Sequence, residues 1–307
     1  MISDWRTKWS NATDGATDAT FPFGWAQLNS CGAYTSGYKN ASSPGGLLNP
    51  AKPPGNCGKG CAPECNTTCL GEFHEWGDYG QGFTGIRYAQ TNTLSLPKTF
   101  QAVIIDTPVA SGSIHSPFKQ PGECAARLLT QSCLLSQPLT WYCALRAVGR
   151  RLARGGLAIA YNMESAHAVD PVVDLVKLSA DKRSVTVTVG GLGSKGLQAA
   201  IGAAAFEVLG PCDPQPAPGT CTDAVCLCWT ATPIHSATKT TVTITGLPAS
   251  PSAVRYLWYI SPYAIGGKLL RPFAAPIYAL ADPIPNAAPI PGGADTLPLG
   301  PFVLPLP

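Results

Sequence analysis

Four histidines could move a proton near neutral pH in this chain: His74, His115, His167 and His235. His115 has the context that such chemistry needs. An apolar, β-branched run, Ala102-Val103-Ile104-Ile105, precedes it and stops at Asp106. A short apolar run between turn residues reads as a buried strand. Small residues from Thr107 to Ser113 make a loop, and Ile114-His115-Ser116-Pro117 leads into a segment with apolar residues at helical spacing. His115 is therefore expected just beyond a strand end, at a loop-to-helix transition. In open α/β sheets that edge is where ligands bind and catalytic groups are mounted. A histidine placed there can take a proton from a nucleophile and return it to a leaving group.

The other histidines have poorer contexts. Glu164-Ser165-Ala166-His167 is the single acid-x-x-His phrase, but no buried strand leads into it. His235 follows Pro233-Ile234 in a connection between β strands and reads as structural; His74 lies in a Cys-rich stretch and reads as a surface-loop residue. Asp106 is the nearest carboxylate that could orient His115, and it equally suits a loop cap. A nucleophile is not evident: the chain has no G-x-S-x-G phrase, and no Gly-Asp-Ser or Gly-Gln-Ser after a strand.

The elements that must position these groups follow from the pattern. Residues 1–9 read as a helix end carrying Trp5 and Trp9, and Phe21 to Leu28 as a strand in which Gly24 marks a bulge or close approach. Residues 30–82 read as an insertion rich in Gly, Pro and Ser. Ile86 to Pro97 reads as a loop or short strand carrying Arg87 and Gln90. A helical region extends to about residue 152, broken at Gln137-Pro138. Arg146, Arg150, Arg151 and Arg154 in it read as a solvated basic face. From Val172 the period changes to two. Leu175–Leu178, Ser184–Val189, Ala205–Leu209, Thr240–Ile244 and Val254–Tyr259 alternate with turns, the pattern of a small all-β sandwich.

The 307 residues allow one large domain or two ordinary ones. Charged residues are 13% and the net charge is +3, so no nucleic-acid footprint is implied. No apolar run approaches the ~18 residues of a membrane span. Twelve cysteines point to disulfides and an oxidising compartment. The sequons at Asn11, Asn40 and Asn66 agree with that. Cys57, Cys61, Cys65 and Cys69 recur every fourth residue among Pro and Gly, and Cys212, Cys221, Cys226 and Cys228 share one inter-strand region. Both sets read as staples and not as metal ligands, although a metal cluster at 57–69 is the rival reading. The first 20 residues have no apolar core of a signal peptide.

Gly112-Ser113-Ile114-His115, with Lys119-Gln120 after it, resembles the catalytic-histidine block of the sialate O-acetylesterases. So do Met1-Ile2-Ser3-Asp4-Trp5-Arg6, Phe21-Pro22-Phe23-Gly24-Trp25-Ala26-Gln27-Leu28, Ile86-Arg87-Tyr88-Ala89-Gln90-Thr91 and Leu96-Pro97-Lys98-Thr99-Phe100, in the family's order. Val254-Arg255-Tyr256-Leu257-Trp258 and Pro276-Ile277-Tyr278 continue the match.

The resemblance implies part of an SGNH-type, three-layer α/β hydrolase followed by a small all-β module. Residues 1–160 would be the C-terminal part of the hydrolase domain, with the Cys-rich insertion at 30–82. Residues 161–280 would be the β-rich module, and 281–307 a Pro-rich, disordered tail. His115 would be the general base and Asp106 its orienting carboxylate, with Arg87 and Gln90 binding substrate. The substrate would be an O-acetylated sialic acid or another acetylated sugar, with no metal or cofactor.

The Met1–Arg6 phrase falls mid-chain in the family, after the nucleophile block. The chain is therefore expected to be a C-terminal fragment or a short isoform, inactive alone and able to associate with an N-terminal half. The implied location is secreted or lysosomal. The alternative is a secreted, disulfide-rich glycan-binding or structural fragment without catalysis.

Protein made through a secretory pathway should carry Cys57, Cys61, Cys65 and Cys69 oxidised. Mass spectrometry with and without reduction checks this; four free thiols or one bound zinc per chain would contradict it.

Overall fold

The Phe100 ring lies in a slot made by two glycines. A Cβ added to Gly24 or to Gly155 would run into that ring. The slot brings together β1 (Phe23–Ala26), β2 (Thr99–Ala102) and a helix over Thr140–Ile159. Strands β1 and β2 pair in parallel, Phe23 opposite Thr99 and Ala26 opposite Ala102. The computed structural model describes residues 1–29, 82–107, 140–163, 171–213, 227–258, 275–281 and 296–307. His115, Cys57, Cys61, Cys65, Cys69, Cys221, Cys226, Asn40, Asn66 and the Glu164–His167 phrase lie outside the described residues.

Helix α1 (Ile2–Ala12) buries two side chains, Ile2 and Arg6, and Arg6 anchors it. Arg6 donates to the carbonyls of Phe21 at 2.7 Å and Pro97 at 2.9 Å, residues that lead into β1 and β2. Beside it, Lys98 reaches Asp18 at 2.7 Å. That bond and those from Thr20 hold the Asp18 carboxyl down at about 2. Residues 82–92 form helix α2 (Gly82–Asn92), followed by a 3-10 turn at Thr93–Ser95. This corrects the expected loop or short strand. β-branched Ile86 and Thr91 lower intrinsic helix propensity, but tertiary bonds from Arg87, Gln90 and Thr91 onto β1 decide the conformation.

The strand before Asp106 is shifted from its expected position. Ladder pairing covers Thr99–Ala102, because β1 ends at Ala26; Gln27 adds one last bond to the Ala102 carbonyl. Val103, Ile104 and Ile105 continue as buried chain, and Asp106 sits in the turn after them. Helix α3 is Thr140–Ile159, longer than expected. Arg151 and Arg154 are each only 2% exposed. The expected solvated basic face is thus corrected at those two positions.

The rest of the described chain is antiparallel β. One sheet has the order β3 (Val172–Leu178), β4 (Ser184–Gly190), β9 (Thr241–Thr245), β8 (Ile234–Ala237). Along β4, buried positions alternate with half-buried ones, the signature of one covered face. A second sheet joins β6 (Phe206–Pro211) and β10 (Ala253–Tyr256) at its centre, with β7 (Leu227–Thr232) and β13 (Phe302–Pro305) at its edges. A third has β11 (Ile277–Leu280) between β5 (Leu197–Ala199) and β12 (Thr296–Pro298). The second sheet carries a buried ion pair: Arg255 Nε donates to Glu207 at 2.7 Å, directly across the ladder, and Arg255 stacks over Trp229 at 4.1 Å. A disulfide joins Cys212 to Cys228 where β6 and β7 part.

One core spans these parts. Val103 and Ile105 from the α/β part cluster with Val185, Val187, Phe206, Val254 and Ile277. The sheets of the β module match the expected sandwich. A complete three-layer hydrolase is not present among the described residues, where the parallel sheet has two strands. The disordered-tail expectation is corrected for 296–307. Strand β12 pairs with β11 and β13 pairs with β10. Phe302 lies within 5.8 Å of the Tyr256 ring. Proline density does not prevent this, because Pro298 and Pro305 close their strands and β12 and β13 are edge strands.

Phe302→Ala should therefore cost about 3–5 kcal/mol, as for other buried aromatics. A chain ending at Leu280 should lose more. Urea denaturation decides; a loss under ~1 kcal/mol for Phe302→Ala would mean that the tail does not dock.

Candidate active site

The described site is the exit edge of the parallel pair, where β1 passes into Gln27-Leu28-Asn29 and β2 into Asp106-Thr107. Asn29 ties the two exits together: its Nδ2 donates to the Thr107 carbonyl at 2.8 Å. Helix α2 braces β1 from the side. Arg87 is fully buried and donates through Nε to the Leu28 carbonyl at 2.9 Å and through Nη2 to the Asn29 carbonyl at 2.6 Å. Gln90 accepts the Leu28 N–H at 2.8 Å. The next residue, Thr91, accepts from Gln27 Nε2 at 2.9 Å.

Asp106 is fully buried and faces a fork. Arg151 Nη1 donates to Oδ1 at 2.6 Å and Nη2 to Oδ2 at 2.8 Å, a bidentate pair. Tyr278, from strand β11 in the β module, donates its hydroxyl to Oδ2 at 2.9 Å. Burial first, and then the Asp106 charge, push the Tyr278 phenol well above its usual range, so it remains a donor. The same hydroxyl accepts the Ala275 N–H at 2.8 Å. Arg151 also donates to the Val103 carbonyl at 2.8 Å, on the buried chain between β2 and Asp106.

These contacts bear on the sequence expectations residue by residue. Arg87 presents no open face to a sugar; both of its described contacts are to main-chain carbonyls. Gln90 has its oxygen committed to β1 and keeps its Nε2 outside that bond. Asp106 has three of its roughly four acceptor positions filled by Arg151 and Tyr278. Its described function is to fix the strand end. The structure brings Arg87 and Gln90 together at β1 and sets Asp106 at the neighbouring exit.

Arg151 and Tyr278 were not expected at the site. A sequence signal for Arg151 existed: Gly155 and Ala158 lie four and seven positions after it, so it shares a helix face with small residues, and Gly155 packs against Phe100. Tyr278 had no signal beyond its phrase. Among the described residues His235 is exposed on β8 and bonds to no hydroxyl, so no serine–histidine pair is found there. Nor do three or more His, Cys, Asp or Glu side chains converge among the described residues. No described helix is long and apolar enough to cross a membrane.

No family model matches the chain, and no curated protein matches it. Among solved structures, the crystal structure of a carbohydrate acetylesterase from Xanthomonas citri is similar. It shares 19% identity at a TM-score of 0.48, over 99% of this chain and 46% of that one. The chain thus spans under half the length of that structure. A likeness of this size is too small to assign a reaction.

Removing the Asp106 partner should be costly. Arg151→Met leaves a buried carboxylate unpaired and should cost about 3–5 kcal/mol. Tyr278→Phe removes one bond to a charged group and should cost about 1.5–3 kcal/mol. Chemical denaturation of both variants measures this. Losses within ~0.5 kcal/mol for both would show that the cluster does not hold the fold.

Proposed function

We propose that this chain supplies the histidine-bearing half of an SGNH-type carbohydrate acetylesterase, acting on O-acetylated sialic acid or a related acetylated sugar. The observation that carries this reading is the ordered set of phrases from Met1 to Tyr278, with the block from Ile86 to Gln120 at its centre. The geometry supports it in one respect. Helix α2 holds Arg87 and Gln90 beside the exit of β1, Asp106 lies at the neighbouring exit, and His115 follows Asp106 by nine positions in the sequence.

In this reading His115 is the general base. It takes the proton of a serine hydroxyl as that oxygen attacks the acetyl carbonyl, and then gives the proton to the departing sugar hydroxyl. Water repeats the cycle on the acetyl-enzyme. The serine and the donors for the oxyanion come from a nucleophile block outside this chain. Asp106 sets the position of the strand end, and Gln90 Nε2 is the donor free to meet the sugar. The reaction needs no metal or cofactor, and the protein works in a secretory or lysosomal compartment.

The chain alone should therefore give no acetyl-ester turnover above buffer. A base without its nucleophile activates nothing, and each missing oxyanion donor is worth ~10²–10³ in rate. The full-length reading frame should be active, and His115→Ala within it should remove most of the activity while His167→Ala does little. An assay on these four proteins decides. Full turnover from the chain alone, or retained turnover in the His115 variant, would overturn the reading.

A further inference from the structure

Helix α1 presents two opposite faces. Ile2 and Arg6, one turn apart, are its buried positions. Asn11 stands five residues beyond Arg6, about 140° further round at 100° per residue, on the outward side. It is exposed, as are Ala12 and Thr13. Asn11-Ala12-Thr13 is an acceptor sequon for N-linked sugar. The helix ends inside it, at Ala12, with Thr13 as the cap. Asp14 and Gly15 take left-handed backbone at φ 48° and 82°, and Gly15 N–H closes on the Ser10 carbonyl at 2.8 Å.

We propose that Asn11 is an N-glycosylation site. The position suits a bulky addition. Arg6 fastens α1 to Phe21, Pro97 and Lys98, at the entry ends of β1 and β2. The exit edge with Asn29 and Thr107 lies at the other end of those strands, on the order of 13 Å away for four residues at ~3.3 Å each. A glycan on Asn11 leaves into solvent from the face of α1 away from buried Ile2 and Arg6.

The chemistry is a glycosyl transfer. Asn11 Nδ2 bonds to the anomeric carbon of an oligosaccharide carried on an isoprenoid pyrophosphate. The anomeric C–O bond to pyrophosphate breaks, and Nδ2 releases one proton. In the folded chain the Thr13 hydroxyl is engaged: it donates to the Trp9 carbonyl at 2.8 Å and accepts the Thr17 N–H at 2.9 Å. The transferase must read that hydroxyl, so the transfer occurs before the last turn of α1 closes.

The test is secretion of the whole chain from a eukaryotic cell behind an added leader, followed by peptide mapping. The Asn11 peptide should carry hexose-rich glycan, and amidase release should leave Asp in its place. Thr13→Ala should abolish the modification and Thr13→Ser should retain it. Asn11→Gln should melt within ~2 °C of the parent, since nothing packs on that side chain. An unmodified Asn11 overturns the proposal, whether or not Asn40 or Asn66 carries sugar. This outcome is independent of any esterase measurement.

Discussion

A buried carboxylate joins three distant segments of the described structure. Asp106 ends the buried run of β2, Arg151 meets it from α3, and Tyr278 reaches it from the β module. A carboxylate taken out of water is stable only when its charge and lone pairs are satisfied. That requirement ties three segments, separated by 45 and 172 positions, to one point. The apolar core repeats the connection without direction: Val103 and Ile105 pack among the valines of the sandwich. The ion pair fixes registry, and the hydrophobic contact supplies most of the driving force. The α/β part and the β module are accordingly joined by packing as well as by sequence.

This joint changes what the candidate site residues do. Arg87 and Gln90 are polar groups near a strand exit, where a ligand contact is the natural reading. Their partners are instead the main-chain groups of Leu28 and Asn29. A strand that leaves its ladder exposes unpaired N–H and C=O groups, and side chains of a neighbouring helix must satisfy them when the exit is buried. Asn29 does the same for Thr107. The edge is thus a braced platform.

Parts of this were legible in the sequence because their signal is local. Ser184–Val189 and Thr241–Ile244 alternate, and the structure buries alternate residues there. Gly24 was legible as either a bulge or a close approach, and the structure shows the close approach, to Phe100. Other parts depend on distant partners. Arg151 reads as solvated until Asp106 and Tyr278 are placed beside it. Helix α2 reads as loop because Ile86, Tyr88 and Thr91 are indifferent helix formers. Pro298 and Pro305 suggest disorder, whereas Leu297 and Phe302 find buried places in two sheets and Leu306 is buried just beyond β13. In each case long-range packing outweighed local propensity.

The central proposal is that this chain brings the base of an esterase and not its nucleophile. Reaction of the purified chain with a fluorophosphonate, which phosphonylates activated serines, tests that claim without any substrate assumption. Intact-mass and peptide analysis should show no labelled serine in this chain, and labelling of one serine upstream in the full-length protein. Stoichiometric labelling of a serine within residues 1–307 would contradict the account and place the nucleophile inside the chain itself.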